Sequence, residues 1–220
     1  MHVVKAAEIP VGTFYFTAKK RLLDMLMTGK GTVLDIGCGS GQYSNHLAEA
    51  GFNVTGADIE KQEKTGKAAF IVLDLEKQKL PKKFDYILAM DVLEHIADDS
   101  SALSNASEML SDKGKLVLVV PALPFLYGAH DINCGHKRRY SKSELIKKLK
   151  SAGLKCDRIF YWNFPAVFSA AISKMLGVSQ PYRQASRSSL FSRLVLAELK
   201  LEEKLSPPIG LDLVCIASKA

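Results

Sequence analysis

The sequence predicts a doubly wound α/β fold, a mostly parallel sheet with helices on both faces. Three observations predict it. Strand-length apolar runs alternate with helical or polar stretches along the chain. Residues Thr32 to Glu60 read as strand, glycine-rich turn, helix, glycine stop and second strand, closed by Asp58. Lys115–Val120 (KLVLVV) is a continuous apolar run, the mark of a parallel strand buried on both faces. At 220 residues the chain can bury a full core, so a single domain 1–220 carrying an insertion is expected.

Residues 13–27 place Phe14, Leu22, Leu23, Leu26 and Met27 on an apolar side and Lys19 to Arg21 on a polar one, the spacing of an amphipathic helix. Gly29 and Gly31 separate it from a first strand, Thr32–Ile36. A helix over 41–50 stops at Gly51, whose missing Cβ suits a left-handed C-cap. Asn53–Ala57 is the second strand and Ala69–Leu73 the third, and the polar EKQEKTGK between them predicts a short helix or a loop. Phe84–Met90 is the fourth strand. A helix at about 99–110 is opened by Asp98 or Asp99 and closed before Gly114. The fifth strand, Lys115–Val120, ends at Pro121. Ser141 and Glu144 have capping-box spacing for a helix running to Ser151. Leu154–Tyr161 and Leu211–Ala217 are the last two strands.

Trp162–Pro208 is extra to this alternation. It holds a helix at about 166–176 and a long one at about 188–204, stopped by Pro207 and Pro208. The expectation is a helical cap, 162–208, inserted between the last two strands and covering the active site. Ile159–Val178 is apolar enough to raise the question of a membrane span. Asn163, Pro165 and Lys174 speak for a buried cap helix instead, and a helix resting on a membrane surface is the alternative.

The glycine turn is the most informative local feature. Gly37, Gly39 and Gly41 give G-x-G-x-G, and Gln42 stands where a dinucleotide fingerprint wants its third glycine. Asp35 precedes the turn at the end of the first strand. A carboxylate there repels a pyrophosphate but suits a ligand carrying a sulfonium and an amino group. The segment resembles motif I of the class I S-adenosylmethionine-dependent methyltransferases, in their small-molecule type. The resemblance implies a seven-stranded Rossmann-like sheet with the last strand inserted antiparallel beside the fifth, and S-adenosylmethionine as cofactor.

The resemblance assigns cofactor contacts to Asp35, Gly37, Cys38, Gly39 and Gly41 in the turn, and to Asp58 and Ile59 after the second strand. Asp58 lies about twenty residues past the turn, where a carboxylate can accept two hydrogen bonds from the ribose diol. Asp74 matches the residue that reads the adenine amino group, with Leu75 offering its backbone. Ala89–His95 (AMDVLEH) is similar to the motif IV segment, which puts Met90 and Asp91 near the methionine moiety. Nucleic-acid N-methyltransferases of the D/N-P-P-Y/F type carry another string there, and its absence weakens a nucleic-acid substrate. Asp91, Glu94 and His95 also resemble a metal-binding motif of some magnesium-dependent relatives, though metal-free relatives share it, and no metal is assigned.

After the fifth strand, HDINCGHKRRY gathers His130, Asp131, His136, Arg138, Arg139 and Tyr140 in one loop at the strand ends where open α/β sheets bind ligands. The pattern is similar to one in a subgroup of small methyltransferases without a firm substrate. Catalytic candidates are His95, His130 and His136 as bases, with Arg139 and Tyr140 beside them. Arg139 is expected to grip a carboxylate or phosphate with two parallel hydrogen bonds. A structural loop held by its own ion pairs, and a zinc site from His130, Cys134 and His136, are the other readings of these residues.

Hydrophobic content of 47% and charged content of 24% are ordinary for a globular protein. Cys38, Cys134, Cys156 and Cys215 are scattered and form no C-x-x-C pair, which suits reduced thiols; with no leader apparent at the N-terminus, a cytoplasmic location is expected. The formal charge of +7 concentrates between His136 and Arg158, where nine Lys or Arg face Glu144 and Asp157. That stretch suits an anionic acceptor, a lipid surface, RNA or simply solvent. The expected activity is methyl transfer from S-adenosylmethionine to a small-molecule or lipid-like acceptor. An RNA methyltransferase and a non-catalytic cofactor-binding module are the rivals. A dehydrogenase is opposed by Asp35 and Gln42.

Overall fold

Seven strands form one sheet in the order β3-β2-β1-β4-β5-β7-β6. They are β1 (Thr32–Ile36), β2 (Asn53–Asp58), β3 (Ala69–Val72), β4 (Phe84–Met90), β5 (Leu110–Pro121), β6 (Leu154–Trp162) and β7 (Asp212–Lys219). The helices are α1 (Phe14–Leu26), α2 (Gln42–Glu49), α3 (Asp99–Met109), α4 (Ala129–Cys134), α5 (Lys142–Ser151) and α6 (Pro165–Leu176), with short 3-10 turns at Leu93–His95 and Pro124–Leu126. The computed structural model describes residues 14–61, 66–177 and 207–220, together with 197, 199 and 202. The expected helix at 188–204 and part of the polar link before β3 therefore lie outside the described residues.

Strands β1 to β5 pair in parallel. The last strand runs the other way: Leu211 N donates to Asn163 O at one end, and Ala220 N to Gly153 O at the other, so β7 is antiparallel to β6. The sheet is thus mixed, with the reversed strand inserted beside β5 as the sequence resemblance implied.

Strand β5 begins at Leu110 rather than Lys115, because Leu110 pairs with Phe84 before a bulge shifts the register to Tyr86 and Lys115. Gly114 makes this packing feasible. A Cβ there would sit 2.9 Å from Phe84 O.

The chain divides into two compact units. The larger holds Thr28–Val120, Lys142–Ile159 and Val214–Ala220. Its core is the run of strand residues Val33, Leu34, Ile87, Leu88 and Leu116–Val120, all buried, with Leu103 and Ala106 of α3 and Leu145 and Leu149 of α5. This matches the sequence pattern, since strands covered on both faces cannot alternate polar and apolar residues.

The smaller unit holds Met1–Met27, Pro121–Ser141 and Phe160–Leu213. Lys19, expected on the polar face of α1, is fully buried, with its ammonium 4.9 Å from the centre of the Tyr15 ring. Its aliphatic stem packs while the charge meets the ring face, a contact that offsets part of the cost of burying it. Tyr15 stacks at 6.0 Å on Trp162, and its hydroxyl donates to Asp212 at 3.0 Å. The Asn163 side-chain amide donates to the same Asp212 oxygen at 3.2 Å. The Glu202 carboxylate accepts from the backbone N–H groups of Asn163 and Phe164, each at 2.7 Å. Those donors open α6, so a residue far along the chain closes the helix start.

Helix α6 differs from the expected buried helix. It buries Ala166, Val167, Ala170 and Ser173 but exposes Phe168, Ile172, Met175 and Leu176. No helix among the described residues is long and apolar enough to cross a membrane.

Candidate active site

In the larger unit, the turn between β1 and α2 is held open by three left-handed glycines, Gly37 at φ 64°, Gly39 at 51° and Gly41 at 77°. Two of them also have no room for a side chain. A Cβ on Gly37 would lie 2.4 Å from Val92 Cγ2, and one on Gly41 would lie 2.2 Å from Phe70 Cζ. The turn therefore packs against both the end of β4 and a residue of β3. Cys38 N donates to Ala57 O at 3.1 Å, which adds the end of β2. The Gly39 N–H donates to Asp58 Oδ2 at 2.8 Å, and Glu60 N to Asp58 Oδ1 at 3.3 Å. These bonds aim the Asp58 carboxylate at the turn and leave it half-exposed, with Ile59 beyond it exposed.

Asp35 is buried behind the turn, where Ser44 Oγ donates to it at 2.5 Å. Burial pushes its carboxyl up to about 7, against the Ser44 hydrogen bond and helped by the charge of Asp58. Ser44 carried no sequence signal beyond its place one turn into the helix. An acid poised near neutrality is suited to a cationic neighbour, whose charge would favour the ionised form.

Asp74 follows β3 and closes its own turn. Its carboxylate accepts from Glu76 N at 3.1 Å and pairs with Lys77 Nζ at 2.8 Å. Leu75 is buried, and its carbonyl accepts from the Asn105 side chain at 2.8 Å. Met90 is buried at the end of β4. Asp91 adopts φ 54°, a left-handed conformation unusual for a residue with a side chain, while its N–H donates to Val119 O at 2.9 Å. Val92 then packs on Gly37. The structure thus joins the turn, Asp58 and the β4 end into one cradle. Glu94, fully buried, and half-buried His95 follow in the 3-10 turn.

In the smaller unit, the expected loop after β5 folds into a 3-10 turn and the short helix α4. Gly128 and Gly135 bracket α4, and Gly135 takes φ 76° as its left-handed C-cap. Asp131 is the centre of this segment, fully buried. It accepts from Gly128 N at 3.0 Å, forms an ion pair with Arg139 whose Nε lies 2.8 Å away, and faces His136 Nδ1 at 3.0 Å. Burial works to raise the Asp131 carboxyl, but the His136 hydrogen bond and the Arg139 charge outweigh it and hold it down at about 2. The ionised carboxylate can only accept, so the His136 Nδ1 carries the proton and Nε2 becomes the position for proton exchange.

Arg139 departs from its expected role. Its guanidinium is buried between Asp131 and the Ala122 carbonyl, at 3.2 Å from Nη1, instead of forming an open fork for an anion. Tyr140 is likewise fully buried, with its backbone N–H on Pro121 O at 2.8 Å. Both shape the loop through packing. His130 is half-buried, edge-on to the His136 ring at 6.4 Å between centres and 3.7 Å from Cys134 Sγ through Nε2. Among the described residues, His130, Cys134 and His136 do not converge as a zinc ligand set. Asp131 was visible in the sequence as part of the cluster, but nothing in the spacing singled it out as the hub.

Parts of the basic stretch pair locally. Lys148 binds Asp99 at 2.8 Å, and Lys155 lies 4.0 Å from Asp157, which also pairs at 2.7 Å with Lys115 of β5.

A family described as "Methyltransferase domain" matches residues 12–159. The mitochondrial ubiquinone biosynthesis O-methyltransferase of Schizosaccharomyces pombe is 34% identical over 99 residues, covering 39% of this chain and 36% of that protein. The ubiquinone biosynthesis O-methyltransferase of Aeromonas salmonicida is 28% identical over 152 residues, covering 56% and 62%. The matches thus span between about a third and three fifths of these relatives' length. Among solved structures, an S-adenosylmethionine-dependent methyltransferase from Mesorhizobium loti superposes with a TM-score of 0.63 at 16% identity, covering 91% of this chain and 97% of that one. The 1,6-didemethyltoxoflavin-N1-methyltransferase of Burkholderia thailandensis gives 0.62 at 16%, covering 96% and 80%. At such identities these structures attest the fold.

Proposed function

The chain belongs to the methyltransferase domain family, of the class I S-adenosylmethionine-dependent type, and we propose that it transfers a methyl group to a small-molecule or lipid-like acceptor. The observation that carries this reading is the cradle in which the Gly39 N–H binds Asp58 while Gly37 and Gly41 pack where a Cβ would collide. These residues fit S-adenosylmethionine: Asp58 presents acceptor oxygens for a ribose diol, and the Gly37–Gly41 backbone permits close approach. Asp35 is the carboxylate for the positive end, reached through the protein's field rather than through an exposed oxygen. When bound, the cofactor supplies a methyl group on a sulfonium.

Methyl displacement asks the protein mainly to align and desolvate the reactants. For an acceptor that must first lose a proton, His136 is the proposed base, working at Nε2 with Asp131 holding Nδ1. His130 and His95 are the other candidates. The acceptor class is supported by the names of the ubiquinone biosynthesis relatives. Residues 162–208 are proposed to serve acceptor binding as a cap, within a single methyltransferase chain.

The test offers a methyl-labelled donor with a lipid extract in one tube and total RNA in another. Label is expected in the organic phase. Label confined to RNA would reject the acceptor class.

A further inference from the structure

We propose that α6, with the short helices packed against it, forms a face that docks on an anionic phospholipid bilayer. Helix α6 reads PAVFSAAISKML, apolar on nearly all sides, and a helix of that kind is ordinarily buried all round. Here only one side is covered, by way of Ala166, Val167, Ala170 and Ser173. The other side leaves Phe168 61%, Ile172 57%, Met175 86% and Leu176 68% exposed. Their spacing of four, three and one residues places them on one stripe of the helix. Twelve residues are too few to span a membrane, so the stripe is of a length and character that lies in the bilayer interface.

Two further exposed apolar side chains belong to the elements against which α6 packs. Phe125 sits on the 3-10 turn whose carbonyl accepts from Lys174 Nζ, and Ile132 on α4. The segments that carry these side chains present charge of one sign. Within Pro121–Ser141 and Phe160–Gly177 the only carboxylate is Asp131, fully buried against His136 and Arg139. Lys137 and Lys174 are exposed in the same segments. An apolar stripe whose own segments carry exposed cations and no exposed acid matches anionic headgroups over a dry interior, and it disfavours a partner that needs paired charges of both signs.

The proposal is independent of the acceptor, because binding to vesicles is read without cofactor or turnover. The full chain is mixed with vesicles of phosphatidylcholine alone or with phosphatidylglycerol, and floated on a density gradient. The wild type is expected to float with the anionic vesicles. Phe168→Ser with Met175→Ser is expected to leave it at the bottom, with circular dichroism unchanged because both side chains are exposed. Lys137→Gln with Lys174→Gln is expected to weaken binding roughly tenfold or more and to flatten its dependence on lipid charge. A wild-type chain that does not float, or floats equally after the serine substitutions, overturns the proposal. So does a dimer in light scattering that the serine substitutions abolish without any vesicle binding, which would give the face to a second copy.

Discussion

The Gly39 N–H reaches Asp58 Oδ2 at 2.8 Å, and this bond joins two segments nineteen residues apart in the chain. The turn after β1 and the end of β2 are therefore set by one another, and a change in either moves the carboxylate assigned to the ribose. Asp35, Val92 and Phe70 complete the same small assembly from behind and from the sides.

Alanine at Gly37 or Gly41 combines a left-handed backbone with a collision against Val92 or Phe70. The backbone part alone costs about 1–3 kcal/mol. Gly29→Ala separates the two effects, since Gly29 has φ 95° but open space around it. Thermal melting is expected to show a loss in all three. Cofactor affinity is expected to fall by about tenfold or more only for Gly37→Ala and Gly41→Ala.

The buried Asp35 makes stability depend on pH in an uncommon direction. Its folded-state carboxyl is raised to about 7 from 3.8, so the folded chain holds a proton that the unfolded chain releases. Stability from this group therefore falls as pH rises from about 4 to about 7, by an amount on the order of 4 kcal/mol. Asp35→Asn is expected to remove that slope in denaturant titrations. Calorimetry near pH 7 in buffers of different ionisation heat is expected to show proton release when the positively charged cofactor binds.

Asp131 acts in the opposite sense. Its carboxyl is held down at about 2, so its contribution is present above about pH 4 and lost as pH falls through about 2. The amount is roughly 2 kcal/mol. Asp131→Asn is expected to lower the melting temperature at pH 7 and to flatten the acid limb. In the proposed catalytic role, His136→Ala is expected to reduce turnover by about a hundredfold or more with cofactor affinity nearly unchanged.

Glu202 gives a test of the smaller unit. Glu202→Ala leaves the Asn163 and Phe164 N–H groups without their carboxylate, at a cost of about 1–3 kcal/mol for a buried donor. Urea unfolding followed by Trp162 fluorescence is expected to report the loss, since Trp162 immediately precedes these donors in the chain.

The sheet was legible because its central strands carry continuous apolar stretches, above all Ile87–Met90 and Leu116–Val120, and the turn because glycine at three alternate positions has few other uses. What the sequence could not show was which polar groups turn inward. Lys19 read as a cation on a polar helix face and Arg139 as an open grip for an anionic acceptor, yet both are buried, Lys19 over the Tyr15 ring and Arg139 against the Asp131 carboxylate. The helix α4 was hidden because six residues carry too little periodicity, and its order comes from Asp131 reaching back to Gly128. Ser44 acts through its contact with Asp35 across the glycine turn and Glu202 through two N–H groups far back in the chain, and no local pattern encodes such pairings.

The most direct test of the account is calorimetric titration of S-adenosylhomocysteine into the full chain and its Asp58→Ala variant, with NAD as the control ligand. Micromolar-range binding is predicted for the wild type and none for NAD. The variant, folded by circular dichroism, is predicted to bind more weakly by about 1.5–3 kcal/mol, the contribution of charge-assisted hydrogen bonds from the ribose diol. Unchanged affinity in the variant would contradict the cradle built by Gly39 and Asp58.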